Sequence, residues 1–537
     1  MAESNQITLA RAAAALNPEE ASIHSEEHFA YDFDRVLELK DRVSLIVGDD
    51  TLHVEERKKW TLQRPSYHQS RLQRWCGIPS PKVPGLIDIP FYNLLWAAIE
   101  EDTYIVIEYT VEMSKAKLEV RKLKFALGQV SKVKCRAFID GLLSRAYGRA
   151  QRQRRAKVLV NPHAGPGGAV DLWRNAVRPI FEAARMTLDE VTTTRRGEGT
   201  EICEALDIDA YDIVVVCSGD GLAYEVFNGF GNRADARKAL KKIAVAHIPC
   251  GSGNAMSCNL NGSHHPGPSA LAVVKGVRTS VDLMSVTQGS QRMLSFLSQS
   301  VGIIAEADLA TEHMRWLGAR RFDLGVAQRI FSKKVYPCDI AVKVVCQTKD
   351  EVKTHYKHIE LQDPDWIVVD QIVEGAAPAP GSSDPDAGDG LPPLRFGTVN
   401  EPIPEDWQVF PYNNMGNFYC GNMAWMAPTA NFFNAACIND GLMDLVTNDG
   451  DIPIFQYAGL MTSVESGKFF DNPLISYRKI LAYRLIPRNQ DDGYISIDGE
   501  RTPFEPFQVE VHPGLGTVLS KRGRYEATGP PDWQKSA

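Results

Sequence analysis

The chain of 537 residues contains no run of eighteen apolar residues, so no membrane-spanning helix is expected. The best candidate, 91–111, is interrupted by Glu100, Glu101 and Asp102. The first residues lack the basic-then-apolar order of a secretory signal. Positive charge is not in excess. Lys and Arg number 59 against 67 Asp and Glu, and the formal charge of −8 argues against a general nucleic-acid binder. Ten cysteines are scattered without a Cys-x-x-Cys pair, which indicates neither a zinc site nor a disulfide framework. Reduced thiols in a cytosolic protein are the expectation. No Gly-Lys-Ser/Thr follows the glycine-rich stretch 161–168, so that stretch is not a Walker A loop.

What is present is ordinary in bulk and specific in detail. A composition 44% hydrophobic and 23% charged is globular, and the length predicts two or three domains. The most informative stretch begins at Tyr211. The β-branched run Ile213-Val214-Val215-Val216 reads as a buried parallel strand. It stops at Ser218-Gly219-Asp220-Gly221, after which Leu222, Val226, Phe227 and Phe230 recur at helical spacing. Glycines let the backbone approach a ligand closely, and a helix start offers N–H groups suited to phosphate. Asp220 does not suit phosphate. Its task is to accept a proton from a hydroxyl or orient it, with a helix N-cap as the competing role. That combination is the architecture of a phosphoryl-transfer site.

Two further strand–turn–helix units flank it. Lys157–Val160 leads into Asn161-Pro162-His163-Ala164-Gly165, and Ile243–Ile248 ends in Pro249-Cys250-Gly251-Ser252-Gly253-Asn254. Three such units place three loops at the carboxyl edge of one sheet, where open α/β folds bind ligands. Around this core, 1–40 reads as disordered or a short helix. Residues 41–150 read as several strands closed by an amphipathic helix with Phe138, Leu142, Leu143 and Ala146, which fits a pleckstrin-homology-like region. Arg149, Arg152, Arg154, Arg155 and Lys157 read as a basic linker, solvated or against anionic headgroups. The α/β domain is expected over 151–283. A largely antiparallel β-sandwich should follow over 284–510, with a helical piece over 311–331 and a disordered insertion at 374–393. The remaining 511–537 is expected as a return strand and tail, the last strand (507–519) rejoining the first domain.

These motifs also carry a resemblance. Ser218-Gly219-Asp220-Gly221 with Glu225-Val226-Phe227-Asn228-Gly229, and the two flanking loops in that order, resemble the diacylglycerol kinase superfamily. Ile304-Ala305-Glu306-Ala307-Asp308-Leu309 and Ile497-Asp498-Gly499-Glu500 narrow the resemblance to sphingosine kinases of the fungal type. It implies a phosphofructokinase-like α/β domain binding ATP and a β-sandwich binding lipid. The activity implied is phosphorylation of the primary hydroxyl of sphingoid bases. Asp220 would be the base. Asn161, Pro162, His163, Gly165, Thr193, Arg195, Ser218, Gly219, Gly221, Gly251, Ser252, Gly253, Asn254, Arg315, Arg321, Asp498, Gly499 and Glu500 would bind nucleotide. Asp308 would pair with the substrate amine, although an N-cap before Leu309 competes for it. Ser218, Asp220 and Leu324 would complete the lipid site. Asp498 would position Mg2+, directly or through water, against the competing reading of a surface turn. His163 and Pro166 stand where mammalian relatives often carry basic residues, so backbone N–H groups would do more of the phosphate binding.

The resemblance further implies a peripheral membrane surface as partner, at endoplasmic reticulum, Golgi, endosome or plasma membrane, and allows a homodimer. The alternatives are a kinase of a neutral lipid such as diacylglycerol or ceramide, and a catalytically idle lipid-binding regulator.

Overall fold

The computed structural model describes residues 35–56, 86–310, 334–361, 389–490, 492–527, 529–530 and 533. Most of the expected disordered or helical stretch 1–40, the helical piece 311–331 and most of the insertion 374–393 lie outside the described residues. So do Arg315, Arg321 and Leu324. The chain divides into two compact units.

The smaller unit comprises 1–88, 99–105 and 125–145. Val36–Glu38, Val43–Val47 and Thr51–Glu56 pair antiparallel in succession, and Leu86–Pro90 closes the four-stranded order. Alternation explains the sheet: Leu52 and Val54 are buried while their neighbours are not. The helix Lys132–Tyr147 buries Cys135, Phe138, Ile139, Leu142 and Leu143, a 3–4 spacing that makes one apolar stripe. Leu94–Glu100, Tyr104–Ser114 and Lys117–Ala126 form a separate three-stranded sheet. An N-terminal β region thus stands before the α/β core.

The larger unit is built on one sheet. Thr187–Thr192, Arg155–Val160, Ile213–Ser218 and Ala244–Pro249 run parallel side by side. The strand Ile213–Ser218 is buried at every position, as its unbroken β-branched run requires when helices cover both faces. Next to Ala244–Pro249 lies Phe507–Ser520, parallel to it through Val245↔Val518 and antiparallel to Val277–Gln288 and Ser476–Pro487. That strand joins the parallel half to an antiparallel half that continues through Met443–Asp449, Met415–Gly421, Ser298–Gly302 and Ile495–Ile497.

Two expectations change. The border at 283/284 falls inside the single strand Val277–Gln288. Asp282, beside that border, sits at a register shift, fully buried, and accepts hydrogen bonds from Gly441 N and Gly514 N, both at 2.6 Å. The basic linker is solvated only in part: Arg149, Arg152 and Arg155 are exposed, and Arg154 is not. Arg154 is 1% exposed and donates to the carbonyls of Val273 (2.9 Å), Val274 (3.2 Å) and Gly276 (2.5 Å), at and just beyond the end of the helix Pro266–Lys275. Arg155 pairs with Asp212 and Lys157 with Asp189. Among the described residues, no helix is long and apolar enough to cross a membrane. The described cysteines are free thiols.

Candidate active site

The register of the parallel strands sets Val160 beside Cys217 and Ser218 beside Pro249, so three loops leave one sheet edge together. The first is held by Asn161, whose Oδ1 accepts from His163 N (2.9 Å) and whose Nδ2 donates to Ser218 Oγ (3.3 Å). Gly165 has φ of 57°, and a Cβ there would fall 2.8 Å from the Cys250 carbonyl. Tighter still, a Cβ on Gly251 would fall 2.4 Å from Gly219 Cα. The second and third loops touch backbone to backbone, which only glycine permits. Asn254, in the left-handed region at φ 57°, closes the third loop by accepting from Gly251 N (2.8 Å) and donating to Gly251 O (2.7 Å).

Gly251→Ala is therefore expected to lower stability by about 1–3 kcal/mol, the usual cost of overpacking. At Gly221 a Cβ would meet the end of a side chain, Glu500 Oε1 at 3.1 Å, so Gly221→Ala should be milder in the free protein. Thermal shift with and without nucleotide checks the order, and a harmless Gly251→Ala would contradict the contact.

Asp220 opens the helix Asp220–Gly231, but its side chain does not cap that helix. Oδ2 accepts from Ala255 N and Oδ1 from Met256 N, both at 2.9 Å, across 35 and 36 residues. The competing role of N-cap is thus realised on a different helix, Ala255–Asn261. Each carboxylate oxygen still has a second lone pair, and the side chain is 13% exposed. Glu225, one turn further along, accepts from Gly197 N and Gly199 N at 2.9 Å and so fixes the start of Glu198–Glu204.

Asp498 follows the strand Ile495–Ile497 at φ 51° and is 3% exposed, so it is no surface turn. Its Oδ1 accepts from Ser295 Oγ (2.6 Å), Leu297 N (3.0 Å) and Ser298 N (2.8 Å), and its Oδ2 from Phe296 N (2.8 Å). Burial pushes its carboxyl up to about 6 against the pull of those four donors. Arg196 forms an ion pair with Glu500, and Arg195 donates to Glu201 at 2.8 Å on the surface.

One cavity of about 650 Å3 takes in all three loops. Of the residues singled out in the sequence, Asn161, His163, Gly165, Thr193, Arg195, Ser218, Gly219, Asp220, Gly221, Gly251, Ser252, Gly253, Asp498, Gly499 and Glu500 line it. Pro162 and Asn254 do not appear on its wall; Asn254 builds the loop behind it. The other arm is largely apolar and went unread in the sequence: Ile304, Tyr419, Met426, Phe432, Met461 and Val464, with Thr429, Thr462 and Glu465 among them. The arms meet at Gly253, where a Cβ would lie 3.4 Å from Asp220 Oδ2 and 3.6 Å from the Met426 carbonyl. Asp308 lies within the helix Ile303–Ala310 rather than at its start, which removes the N-cap reading; its side chain is outside the described residues. Ile304 and Ala307 of the same helix line the apolar arm.

Such a cavity can hold a phosphate-bearing ligand on backbone N–H groups and an apolar chain beside it, with one carboxylate at the junction. Comparison with known proteins agrees. The diacylglycerol kinase catalytic domain family matches residues 155–286, and a domain of unknown function matches 35–148. Sphingoid long chain base kinase 4 of Schizosaccharomyces pombe is 33% identical over 446 residues, covering 83% of this chain and 90% of that protein. Sphingoid long chain base kinase 5 of Saccharomyces cerevisiae is 35% identical over 432 residues, 73% of this chain; the chain spans only 62% of that relative. Human sphingosine kinase 1 is 28% identical over 71% of this chain and 93% of its own. A solved diacylglycerol kinase from Bacillus anthracis overlays 68% of this chain and 97% of its own at a TM-score of 0.45 and 16% identity.

Proposed function

The chain belongs to the family of sphingoid long chain base kinases, and on that premise we propose that it transfers the γ-phosphoryl group of ATP to the primary hydroxyl of a sphingoid base. The observation that carries this reading is the single cavity whose glycine-loop arm and apolar arm meet at Asp220. ATP would lie on the loops starting at Asn161, Ser218 and Gly251, its phosphates held by backbone N–H groups and by Arg196. The base would thread its chain along Met426, Phe432 and Met461 and present its hydroxyl to Asp220. Phosphoryl transfer needs alignment and charge neutralisation more than covalent chemistry from the protein, and a lone pair on Asp220 suffices to take the hydroxyl proton.

Among the described residues no three His, Cys, Asp or Glu side chains converge. That fits a Mg2+ ion that keeps most of its waters and is carried in with the nucleotide, with Oδ2 of Asp498 and Glu500 as the carboxylates to hold its water shell. Bound there, Mg2+ would neutralise charge developing on the phosphates. The antiparallel half would be the lipid-binding sandwich and the N-terminal β region a pleckstrin-homology-like module. Because the substrate resides in a bilayer leaflet, the enzyme would work peripherally at intracellular membranes.

The substrate's amine separates this reading from a neutral-lipid kinase. If Asp308 pairs with an ammonium, Asp308→Asn should weaken kcat/KM for the free base by about 2–5 kcal/mol, the usual loss of one partner of a buried charge pair. An N-acetylated base, uncharged at nitrogen, should be a poor substrate of the wild type and lose far less in the variant. Radiolabelled ATP with purified enzyme and both substrates gives the comparison. Equal losses for both would put the neutral-lipid alternative ahead.

A further inference from the structure

Directly behind Asp220 lies a histidine that the proposed mechanism does not yet use. His247 is on the strand Ala244–Pro249 and 1% exposed. Its Nε2 is 3.0 Å from the Ser218 carbonyl, which only accepts, so Nε2 carries a hydrogen. In the neutral ring Nδ1 is then a bare lone pair. Among the described residues Nδ1 has no hydrogen-bond partner, and Asp220 Oδ1 stands 3.9 Å from it. Two acceptors face each other. A buried, unpartnered polar atom is destabilising, and an apolar residue on this strand would avoid the cost. The arrangement becomes favourable once a proton arrives, because the pair can share it.

We propose that His247 is a positioning residue of the phosphoryl-transfer site, whose bare Nδ1 takes over from Asp220 the proton lost by the lipid hydroxyl. The inference rests on Asp220 being the base. As the hydroxyl oxygen bonds to the γ-phosphorus, the bond to the ADP oxygen breaks and ADP keeps the electron pair. The hydroxyl proton moves to Asp220. A closing movement of about 1 Å brings its carboxyl within hydrogen-bond distance of Nδ1. The proton passes to the ring, leaving an imidazolium between the Ser218 carbonyl and the Asp220 carboxylate, and it is released to water when product departs. Burial lowers the affinity of His247 for protons, with the Asp220 charge opposing, so the resting ring is neutral and able to accept. Asp220 is the charged group acting on the ring among the described residues.

The test is His247→Gln, which can still donate to Ser218 but offers no basic nitrogen. It is expected to lower kcat by roughly 10- to 100-fold, with KM for ATP and for the base within about two-fold. In the wild type, a proton held by the pair at low pH blocks catalysis; without the ring, the acid limb of the kcat/KM profile should move to lower pH. In an Asp220→Asn background the same change should cost little more, because the two act as a unit. Three outcomes overturn the inference: kcat retained, the acid limb unmoved, or the same loss in both backgrounds. Normal turnover of Asp220→Asn alone would instead sink the reading of Asp220 as base. Should His247→Gln fail to fold, 15N-histidine spectra of the wild type, assigned against Asp220→Asn, must show the Nε2–H tautomer; an Nδ1–H tautomer overturns the inference as well.

Discussion

Asp220→Asn is expected to cut turnover by roughly 100-fold or more, the scale of general-base effects, while the protein still binds ATP. The carboxylate has two tasks here, and the substitution touches both. As a base it is disabled, because an amide oxygen does not hold a proton near neutral pH. As an acceptor it is halved, because the new NH2 must face either Ala255 N or Met256 N, both of which donate. One lost backbone hydrogen bond costs about 1–3 kcal/mol, so a lower melting temperature should accompany the lost rate. The two effects separate experimentally. Nucleotide titration and thermal melting show whether the variant is folded and loaded at the assay temperature, and a 100-fold rate loss in loaded protein is then chemical. Turnover close to wild type in such protein would remove Asp220 from proton transfer and leave it the anchor of the helix Ala255–Asn261.

The glycine-loop half of the cavity was legible because its signals are local. A β-branched run, a glycine turn and a helical stripe occupy neighbouring residues, and the parallel sheet brings three such units to one edge. What stayed hidden depends on partners far away in the chain. Nothing near Asp498 announces that its donors are 200 to 203 residues upstream, at Ser295 to Ser298. The apolar arm is assembled from Ile304, Tyr419, Phe432 and Met461, none of which differs locally from an ordinary core residue. His247 is similar: inside the buried run Ile243–Ile248 it reads as a satisfied core histidine until the distance to Asp220 is known. Other misses were avoidable. Val352, Tyr356 and Ile359 are buried at 4–3 spacing along the helix Lys349–Leu361, yet the strand signals around it led to a mostly β reading. Arg154 was grouped with its charged neighbours because charge runs are usually solvated, whereas the carbonyls at a helix end take three hydrogen bonds from its guanidinium.

Lys479→Met should be the most damaging single change to stability, about 3–5 kcal/mol, because it removes one partner from a fully buried ion cluster. Lys479 lies on the strand Ser476–Pro487, opposite Asp444, beside the strand Phe507–Ser520 that joins the two halves of the sheet. Its Nζ is 2.8 Å from Asp440 and 3.1 Å from Asp444, and all three side chains are sealed from solvent. Tyr477 donates to Asp444 at 2.7 Å, and a ring nitrogen of His355 lies 2.9 Å from Asp440. Burial alone would push Asp440 up; the Lys479 ammonium and His355 outweigh it and hold the carboxyl at about 2. That depressed value stabilises the wild type above the unfolded range near 3.9, and the contribution fades as pH falls toward 2. At Asp444 burial already outweighs the ammonium and holds the carboxyl up; without Lys479 its affinity for protons rises further, and burial comes to dominate at Asp440 as well. A carboxyl whose folded pKa is raised loses stability as pH climbs from the unfolded value through the folded one. The deficit of Lys479→Met should therefore be largest near pH 7 and shrink toward pH 4. Adding Asp440→Asn and Asp444→Asn, which remove the stranded charges, should recover part of the loss at neutral pH. Urea midpoints of the three proteins across that range decide the matter: a deficit independent of pH and untouched by the two Asn changes would mean that Lys479 matters through packing and not through charge.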